Sequence, residues 1–150
     1  MAVARVTGQI HLASNPQAVW SHVSDPRRLA DWWPRVSRVD LNGADGFTEV
    51  LKTEKGRDVR ADFVTDERAA ERIWQFSQEL TDTPFERVLR SAQTTIALEP
   101  AADATTVVSL TLDRKLRGLG RFGGPIMRKA IALQINEALQ MLGEIHGTVD

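Results

Sequence analysis

The 150-residue sequence contains no cysteine and no tyrosine. Without cysteine there is no disulfide, no thiolate nucleophile and no cysteine-ligated metal site. Without tyrosine there is no phenol for acid–base chemistry. The sequence also has no run of about 18 apolar residues that would predict a membrane-spanning helix. The N-terminus lacks the basic-then-apolar order of a signal peptide, so we expect a cytoplasmic protein without stable membrane insertion.

Strong charge of either sign is missing as well. The formal net charge is −1, with 42% hydrophobic and 26% charged residues. This balance is typical of one ordinary globular domain, spanning residues 1–150, and gives no indication of a nucleic-acid partner.

Recognisable catalytic and cofactor motifs are absent too. The three histidines, His11, His22 and His146, have no metal-binding i, i+4 spacing. No G-x-S-x-G elbow and no glycine-rich phosphate loop follows a strand pattern. We therefore predict no metal and no cofactor, and the catalytic residues remain unknown.

Two helix openings stand out near the N-terminus. Asn15-Pro16 and Asp25-Pro26 each place a side-chain acceptor at the N-cap and proline at the first helical position. The second opening leads to Trp32-Trp33-Pro34, where proline pushes Trp33 out of helical geometry. The sequence predicts two short consecutive helices.

Alternating apolar residues predict strands in the remainder of the chain, and one long helix closes it. The predicted loops are a polar segment at 66–70 and a hairpin loop at 99–104. The predicted helix covers about 123–145, with an apolar stripe at Met127, Ile131, Ile135, Ala138, Leu142 and Ile145. The predicted strands are 4–13, 36–41, 47–53, 57–64, 72–79, 86–98 and 105–112. We infer an α+β fold in which a curved seven-stranded antiparallel sheet wraps around the last helix.

The chain resembles the START-like (SRPBCC) superfamily, in its bacterial polyketide cyclase/dehydrase-like branch. The resemblance rests on the capped Ala18-Val19-Trp20 helix, the D-P-x-x-L-x-x-W-W-P run at 25–34, the Gly-rich turns and the Arg117-Gly118-Leu119-Gly120 entry to the last helix. It implies a helix-grip fold with an apolar cavity between sheet and helix, and it identifies a fold better than a reaction.

Strand alternation selects candidate ligand contacts. Trp74, Phe76 and Gln78 share one face of a central strand, and Ala92, Thr94 and Ile96 share one face of its expected neighbour. From the last helix we expect Met127, Ile131, Gln134 and Ile135 to form the floor. The apolar members can equally be ordinary core, and Gln134 can equally point to water.

Two further groups have open interpretations. Trp32 and Trp33 are either a gate over the pocket mouth or a structural anchor, with one ring buried and the other nearer the opening. Glu49, Arg60 and Arg90 lie in alternating strands and are candidate polar groups of the pocket, although outward orientation is the commoner arrangement.

A basic cluster marks the entry to the last helix. It comprises Arg114, Lys115, Arg117, Arg121, Arg128 and Lys129. It can attract an anionic ligand or a membrane surface, or be an ordinary solvated face.

Three functions fit these observations. The leading hypothesis is binding, transport or sensing of a hydrophobic, aromatic or polyketide- or lipid-like small molecule. The alternatives are a polyketide cyclase/dehydrase-type enzyme, which needs an inward titratable group, and a protein-binding chaperone-activator or ribosome-associated module, which needs a wide exposed apolar patch. The sequence does not determine the oligomeric state.

Overall fold

The computed structural model describes residues 2–118 and 120–150, and the side chains of these residues except at positions 120–122. Three α-helices are described: α1 (Pro16–Val23), α2 (Leu29–Trp32) and α3 (Gly120–His146). The strands are β1 (Val3–Leu12), β2 (Val36–Asn42), β3 (Gly46–Lys52), β4 (Asp58–Ala69), β5 (Ile73–Gln78), β6 (Leu89–Ala101) and β7 (Thr105–Leu116). Short 3₁₀ turns lie at Pro26–Arg28, Pro84–Arg87 and Ala102–Ala104.

All seven strands form one antiparallel sheet in the order β1-β7-β6-β5-β4-β3-β2. The sheet is curved and does not close into a barrel, and α3 lies on its concave side. The predicted α+β helix-grip architecture is confirmed. Within residues 2–118 and 120–150, no helix is both long and apolar enough to cross a bilayer.

Both predicted helix caps form. Asn15 Oδ1 accepts a hydrogen bond from the Ala18 amide at 2.8 Å, and Asp25 Oδ1 accepts one from the Arg27 amide at 3.0 Å. Each bond satisfies an amide that would otherwise lack a partner at a helix start. The second helix is shorter than a regular helix, because a 3₁₀ turn leads into the single turn of α2.

Several predicted boundaries are wrong, and three of them lie in β4 and β6. The polar segment at 66–70 belongs largely to β4, which passes through a bulge between Thr65 and Glu67. Asp66 and Glu67 are exposed, and the Asp66 carboxylate accepts hydrogen bonds from Ser77 of β5 and Gln93 of β6. The strand predicted from residue 86 begins at Leu89, because the preceding residues form a 3₁₀ turn. The hairpin loop predicted at 99–104 is reduced to a 3₁₀ turn at Ala102–Ala104, since β6 continues to Ala101.

Helix α3 runs alongside β1 in the same direction. Its Gly124 lies beside Ala2 and Val3, and its Gly143 lies beside Ile10. Between them, Gly8 lets the helix approach closely, because a Cβ at this position would lie 2.6 Å from Ile135 Cγ2.

The two ends of α3 differ in how far they are described. Gly147 follows the helix with φ of 78°, as predicted for its C-terminal end. Leu119, part of the predicted helix entry, lies outside the described residues.

Candidate functional site

The concave face of the sheet carries a cluster of four aromatic rings. Phe47 stacks on Phe63 with ring centroids 5.2 Å apart, and Trp74 and Phe76 lie 4.5 Å apart at an angle to each other. The sheet register places Trp74 beside Ile96 and Phe76 beside Thr94. The shared faces predicted for these two strands are therefore present.

We call the region under the C-terminal half of α3 the packed half of the interior. Here Ile135 and Leu139 of the helix meet the sheet at Gly8. The fully buried Trp74 donates its indole N–H to Thr65 Oγ1 at 3.0 Å, and the Arg68 guanidinium lies 5.0 Å from its ring centroid. This half combines tight contacts with a satisfied indole N–H.

We call the region towards the N-terminal end of α3 the polar half. Three polar side chains, Glu49, Gln78 and Arg114, lie on the concave face here, each two residues beyond a buried apolar residue on the same strand. Their cross-strand neighbours include the small residues Ala61 and Ala92. Gln78 instead pairs with Phe63 of the aromatic cluster.

Glu49 is 4% exposed and follows the buried Phe47 on the same face of β3. Among the described residues its carboxyl group makes no hydrogen bond and no ion pair. Burial raises the pKa of Glu49 to about 7, and the attraction of Arg114 offsets this only in part. A carboxyl with this pKa exchanges a proton near neutral pH.

Arg114 follows the buried Leu112 on the same face of β7 and pairs with Ala4 and Ala92. Its Nη1 donates to the backbone carbonyls of Gln93 at 3.2 Å and Asp113 at 3.0 Å. Among the described residues, Nε and Nη2 have no acceptor. Burial lowers the pKa of Arg114 to about 10, so the guanidinium stays charged at neutral pH.

Glu49 and Arg114 belong to strands that are four positions apart in the sheet. The curvature nevertheless brings them within electrostatic range, because the charge of each shifts the pKa of the other. Gln78 lies on β5, between these strands in the sheet order, and its buried Nε2 has no hydrogen-bond partner in the described part of the chain. Buried polar atoms usually find partners, so an unpartnered amide nitrogen between two charged groups that make few or no hydrogen bonds to the described residues is unusual.

The structure corrects two of the predicted polar groups. Arg60 lies on the outward face of β4, where it is exposed and contacts Asp40 at 3.3 Å. Arg90 is exposed beside the bulge between Leu89 and Ser91. Strand alternation turns Arg60 away from the interior because its neighbour Ala61 points inward.

Sequence reasoning missed Arg114, which it placed in the basic cluster at the helix entry. The signal was present in β7, because Leu110, Leu112, Arg114 and Leu116 alternate on one face. Ending the predicted strand at residue 112 hid this pattern. Arg121, another member of the cluster, has its side chain outside the described part of the chain.

Trp32 and Trp33 are both buried, with 2% and 7% exposure, and their rings meet edge to face at 5.3 Å. The expectation that one ring lies nearer the opening is not met. Both rings line a cleft of about 420 Å³ between α2 and α3, together with Met141 and Glu144. The buried Trp32 Nε1 has no hydrogen-bond partner among the residues that the structure describes.

The four predicted helix residues divide into two groups. Ile131 and Ile135 are buried against the core, and Met127 is half-buried and packs against it. Gln134 instead lines an outer cleft of about 280 Å³ that includes Pro34 and Arg35. Gln134 was predicted either to lie on the pocket floor or to point to water, and the structure supports the second position.

A larger cleft of about 580 Å³ opens at the β3–β4 hairpin, and we call it the hairpin cleft. Its apolar residues are Leu51, Val59 and Phe85. Leu51 is the next inward residue after Glu49, so the hairpin cleft begins beside the polar half. Its basic residues are Arg35, Lys52, Lys55 and Arg57, and its acidic residue is Glu54.

The histidines are less scattered than the sequence suggests. His22 Nδ1 lies 2.9 Å from His146 Nε2, while His22 Nε2 lies 3.0 Å from the Asp31 carboxylate. Ser14 Oγ, 3.2 Å from His146 Nδ1, extends this hydrogen-bonded chain. It ties the C-terminal end of α3 to α1 and α2 at the packed end of the interior.

Comparison with known proteins agrees with this geometry. A family model described as polyketide cyclase / dehydrase and lipid transport matches residues 3–145. The chain belongs to this family. A search of curated proteins gives no match.

Solved structures support the fold. A START superfamily protein from Mycobacterium smegmatis is 13% identical with a TM-score of 0.76, covering 95% of this chain and 96% of its own. The Zhui aromatase/cyclase from Streptomyces sp. R1128 is 18% identical with a TM-score of 0.70, covering 95% of this chain and 93% of its own. The di-domain aromatase/cyclase StfQ of the steffimycin biosynthetic pathway is 12% identical with a TM-score of 0.76, covering 97% of this chain and 51% of its own. The START-like resemblance is confirmed, and family and fold together favour binding of a hydrophobic small molecule.

Proposed function

We propose that the protein binds a hydrophobic, ring-bearing small molecule between the concave face of the sheet and the N-terminal half of α3. Phe47, Phe63 and Phe76 supply aromatic surface on the sheet side, and Met127 and Ile131 supply apolar surface on the helix side. Apolar burial against such surfaces provides most of the affinity for a ligand of this kind.

One observation carries this proposal: Glu49, Gln78 and Arg114 face inward, and each has hydrogen-bonding atoms without a partner among the described residues. Leaving a buried polar group without a partner costs about 1–3 kcal/mol. A chain selected only for stability gains by replacing such groups with apolar residues. Their presence in an apolar interior is what a binding site with a few orienting contacts requires.

The hairpin cleft is the proposed entrance. It adjoins the polar half through Leu51 and Val59, and Arg35 is common to it and to the two clefts beside α3. Arg35 has a φ of 68°, a conformation that is uncommon and costly for a residue other than glycine. Such a residue at the meeting point of three clefts supports a role in admitting the ligand.

Tryptophan fluorescence provides the test, since Trp74 contacts the aromatic cluster directly. We expect a saturable fluorescence change on titration with a neutral aromatic compound, 2-naphthylmethanol. Ala92→Leu, which enlarges an inward side chain of the polar half, should weaken binding at least tenfold. The matched variant Ala97→Leu enlarges a residue on the other face of β6 and should leave affinity unchanged. No saturable response in the wild-type protein would refute the proposal.

A second candidate function is acid–base catalysis of the cyclase or dehydrase type. Glu49 favours it, because its pKa of about 7 lets the same carboxyl remove and return a proton near neutral pH. In a dehydration, the Glu49 carboxylate would take a proton from the carbon beside a ketone and return it to the β-hydroxyl oxygen, so that the C–O bond breaks, water leaves and a C=C bond forms.

An aromatic β-hydroxy ketone, 4-hydroxy-4-phenylbutan-2-one, is a suitable probe of this chemistry. Its dehydration gives a conjugated ketone whose absorbance can be followed. Catalysis by the wild-type protein and its loss in Glu49→Gln, with Arg60→Gln as the outward control, would support the enzyme. A rate equal to that in buffer would argue against it.

The protein-binding alternative has less support. Ile126, Leu133, Met141 and Ile145 are exposed apolar residues of α3, and the first three share their outer helix face with Glu137 and Glu144. Charges within the stripe interrupt an apolar docking surface.

We also propose that the protein works in the cytoplasm, without nucleic acid or stable membrane insertion. Cell fractionation would test this location. Recovery with the membrane fraction after a high-salt wash would contradict it.

A further inference from the structure

The unused hydrogen-bonding atoms in the polar half differ in kind. Arg114 contributes Nε and Nη2, which have no acceptor among the described residues, and Gln78 contributes an unpartnered Nε2. These are donors with positive or partial positive charge. The edge formed by Nε and Nη2 of a guanidinium matches the two oxygens of a carboxylate.

Glu49 could serve as the anion for Arg114, but the two do not form an ion pair in the structure. Their interaction acts only at longer range. In the sheet register Arg114 lies between the small residues Ala4 and Ala92, and Nη1 is its guanidinium nitrogen with acceptors among the described residues.

The route to this site is also basic. Arg35, Lys52, Lys55 and Arg57 line the hairpin cleft around an apolar floor. Two of them are neutralised, because Arg35 lies 3.5 Å from Glu54 and Lys52 lies 2.5 Å from Asp58. Lys55 and Arg57 remain as net positive charge at the mouth, which attracts anions.

We propose that the ligand is a hydrophobic acid whose carboxylate binds Arg114 and Gln78, and that its binding places a proton from solvent on Glu49. This inference rests on the proposed function and adds to it the chemical class of the ligand. A second carboxylate brought next to Arg114 in an apolar interior repels an ionised Glu49. Protonation removes that repulsion and turns Glu49 into a hydrogen-bond donor for the ligand.

Other charged groups near this region do not supply the same effect. Asp113, whose backbone carbonyl accepts from Arg114, alternates to the outward face and lies 3.8 Å from Arg5. Lys115 is exposed on the outward face of β7. Glu49 is therefore the group whose ionisation would affect the binding of an acid on the concave face.

Calorimetric titration with 2-naphthoic acid and 2-naphthylmethanol tests the inference, since the two probes share a ring system and differ in charge. At pH 6 we expect the acid to bind at least tenfold more tightly than the alcohol. From pH 6 to pH 8.5 its affinity should fall about 30-fold, because Glu49 titrates near pH 7 and each unit above the pKa costs about tenfold. Binding of the alcohol should change less than about threefold over the same range.

Proton uptake gives an independent readout. Titrations of the acid at pH 8, in buffers of different ionisation enthalpy, should show the uptake of close to one proton per ligand. At pH 6, where Glu49 is already mostly protonated, uptake should be close to zero.

Variants separate the roles. Arg114→Gln should remove the preference for the acid, while the alcohol still binds. Glu49→Gln should still bind the acid, but the binding should no longer depend on pH and should no longer take up a proton. Arg90→Gln removes one outward arginine from a neighbouring strand and is the charge-matched control, with no expected effect.

The outcomes are distinguishable. Saturable binding of the alcohol with equal or weaker binding of the acid at pH 6 would overturn this inference and leave the proposed function standing. Acid binding that shows the same pH dependence in Glu49→Gln as in the wild type would overturn the role of Glu49, even if the Arg114 variant fails to fold. Binding of neither probe would contradict both proposals.

Discussion

Trp74 and Glu49 lie on the same concave face of the sheet, and both are almost fully buried. Trp74 donates its indole N–H to Thr65, and its ring contacts the rings of Phe47 and Phe76. Glu49 has no hydrogen bond among the described residues and lies beside the small Ala61. One end of the interior is organised for packing, and the other retains polar groups that packing alone does not need.

The chain's architecture accounts for this difference. Helix α3 approaches the sheet closely at Gly8, beneath its C-terminal half, and the histidine chain links the same end to α1. Stability is therefore concentrated at one end. The other end can hold buried groups that lower stability because the packed half compensates for them.

The largest expected effect is in the packed half. Trp74→Ala should lower the free energy of unfolding by about 3–5 kcal/mol, because it removes a large buried ring and leaves a cavity among close neighbours. Chemical denaturation followed by circular dichroism measures this change. A loss below about 1 kcal/mol would mean that the two halves are packed alike.

The second prediction concerns pH in the polar half. Because the pKa of Glu49 is raised from 4.5 to about 7 in the folded protein, the folded state holds its proton more tightly than the unfolded chain. Stability therefore falls as pH rises from about 4.5 to 7, by roughly 3 kcal/mol for this group.

Glu49→Gln removes that titration. Its stability relative to wild type should rise over the same pH window and stay constant above about pH 8. Denaturant midpoints measured at pH 5, 6, 7 and 8 provide the test. A difference between wild type and variant that does not change with pH would show that Glu49 titrates normally.

Most substitutions in a protein core lower stability, but Gln78→Leu is not expected to do so. It removes a buried donor that has no partner, so stability should stay the same or increase by about 1–2 kcal/mol. Thermal denaturation, with Gln75→Leu as a control, makes the comparison, because Gln75 Nε2 does donate to Thr95 at 3.0 Å. A clear destabilisation by Gln78→Leu alone would indicate a contact that the unpaired amide does not reveal.

The smallest effect lies outside both halves. Asn15→Ala should lower stability by about 1 kcal/mol, because the Ala18 amide loses its cap. The same denaturation experiment measures it, and ligand affinity should be unchanged. A large loss of affinity would show that α1 affects ligand binding, which would contradict the separation of the packed half from the polar half.

Much of the fold could be predicted from the sequence because its local signals agree with its tertiary packing. The caps at Asn15 and Asp25 are strong local patterns, and both appear in the structure. The stripe on α3 is buried or half-buried as predicted except at its last member, Ile145, which is 46% exposed. The bulge after Thr65 was not predictable, since a polar run resembles a loop until cross-strand partners such as Ser77 are known.

The candidate site was predicted only in part. The inward position of Trp74 and Phe76 follows from alternation, which is a local property. The position of Arg114 opposite Glu49 depends on sheet curvature over four strands, and that is a property of the whole fold. The pairing of His22 with His146, which are 124 residues apart, is beyond local sequence patterns for the same reason.

The ionisation of Glu49 tests the central claim most directly. In protein labelled with ¹³C at the glutamate carboxyl carbons, NMR titration should show one glutamate with a pKa near 7, lost in Glu49→Gln and shifted when 2-naphthoic acid is added. If every glutamate titrates near 4.5 and none responds to the acid, the polar half is not a binding site.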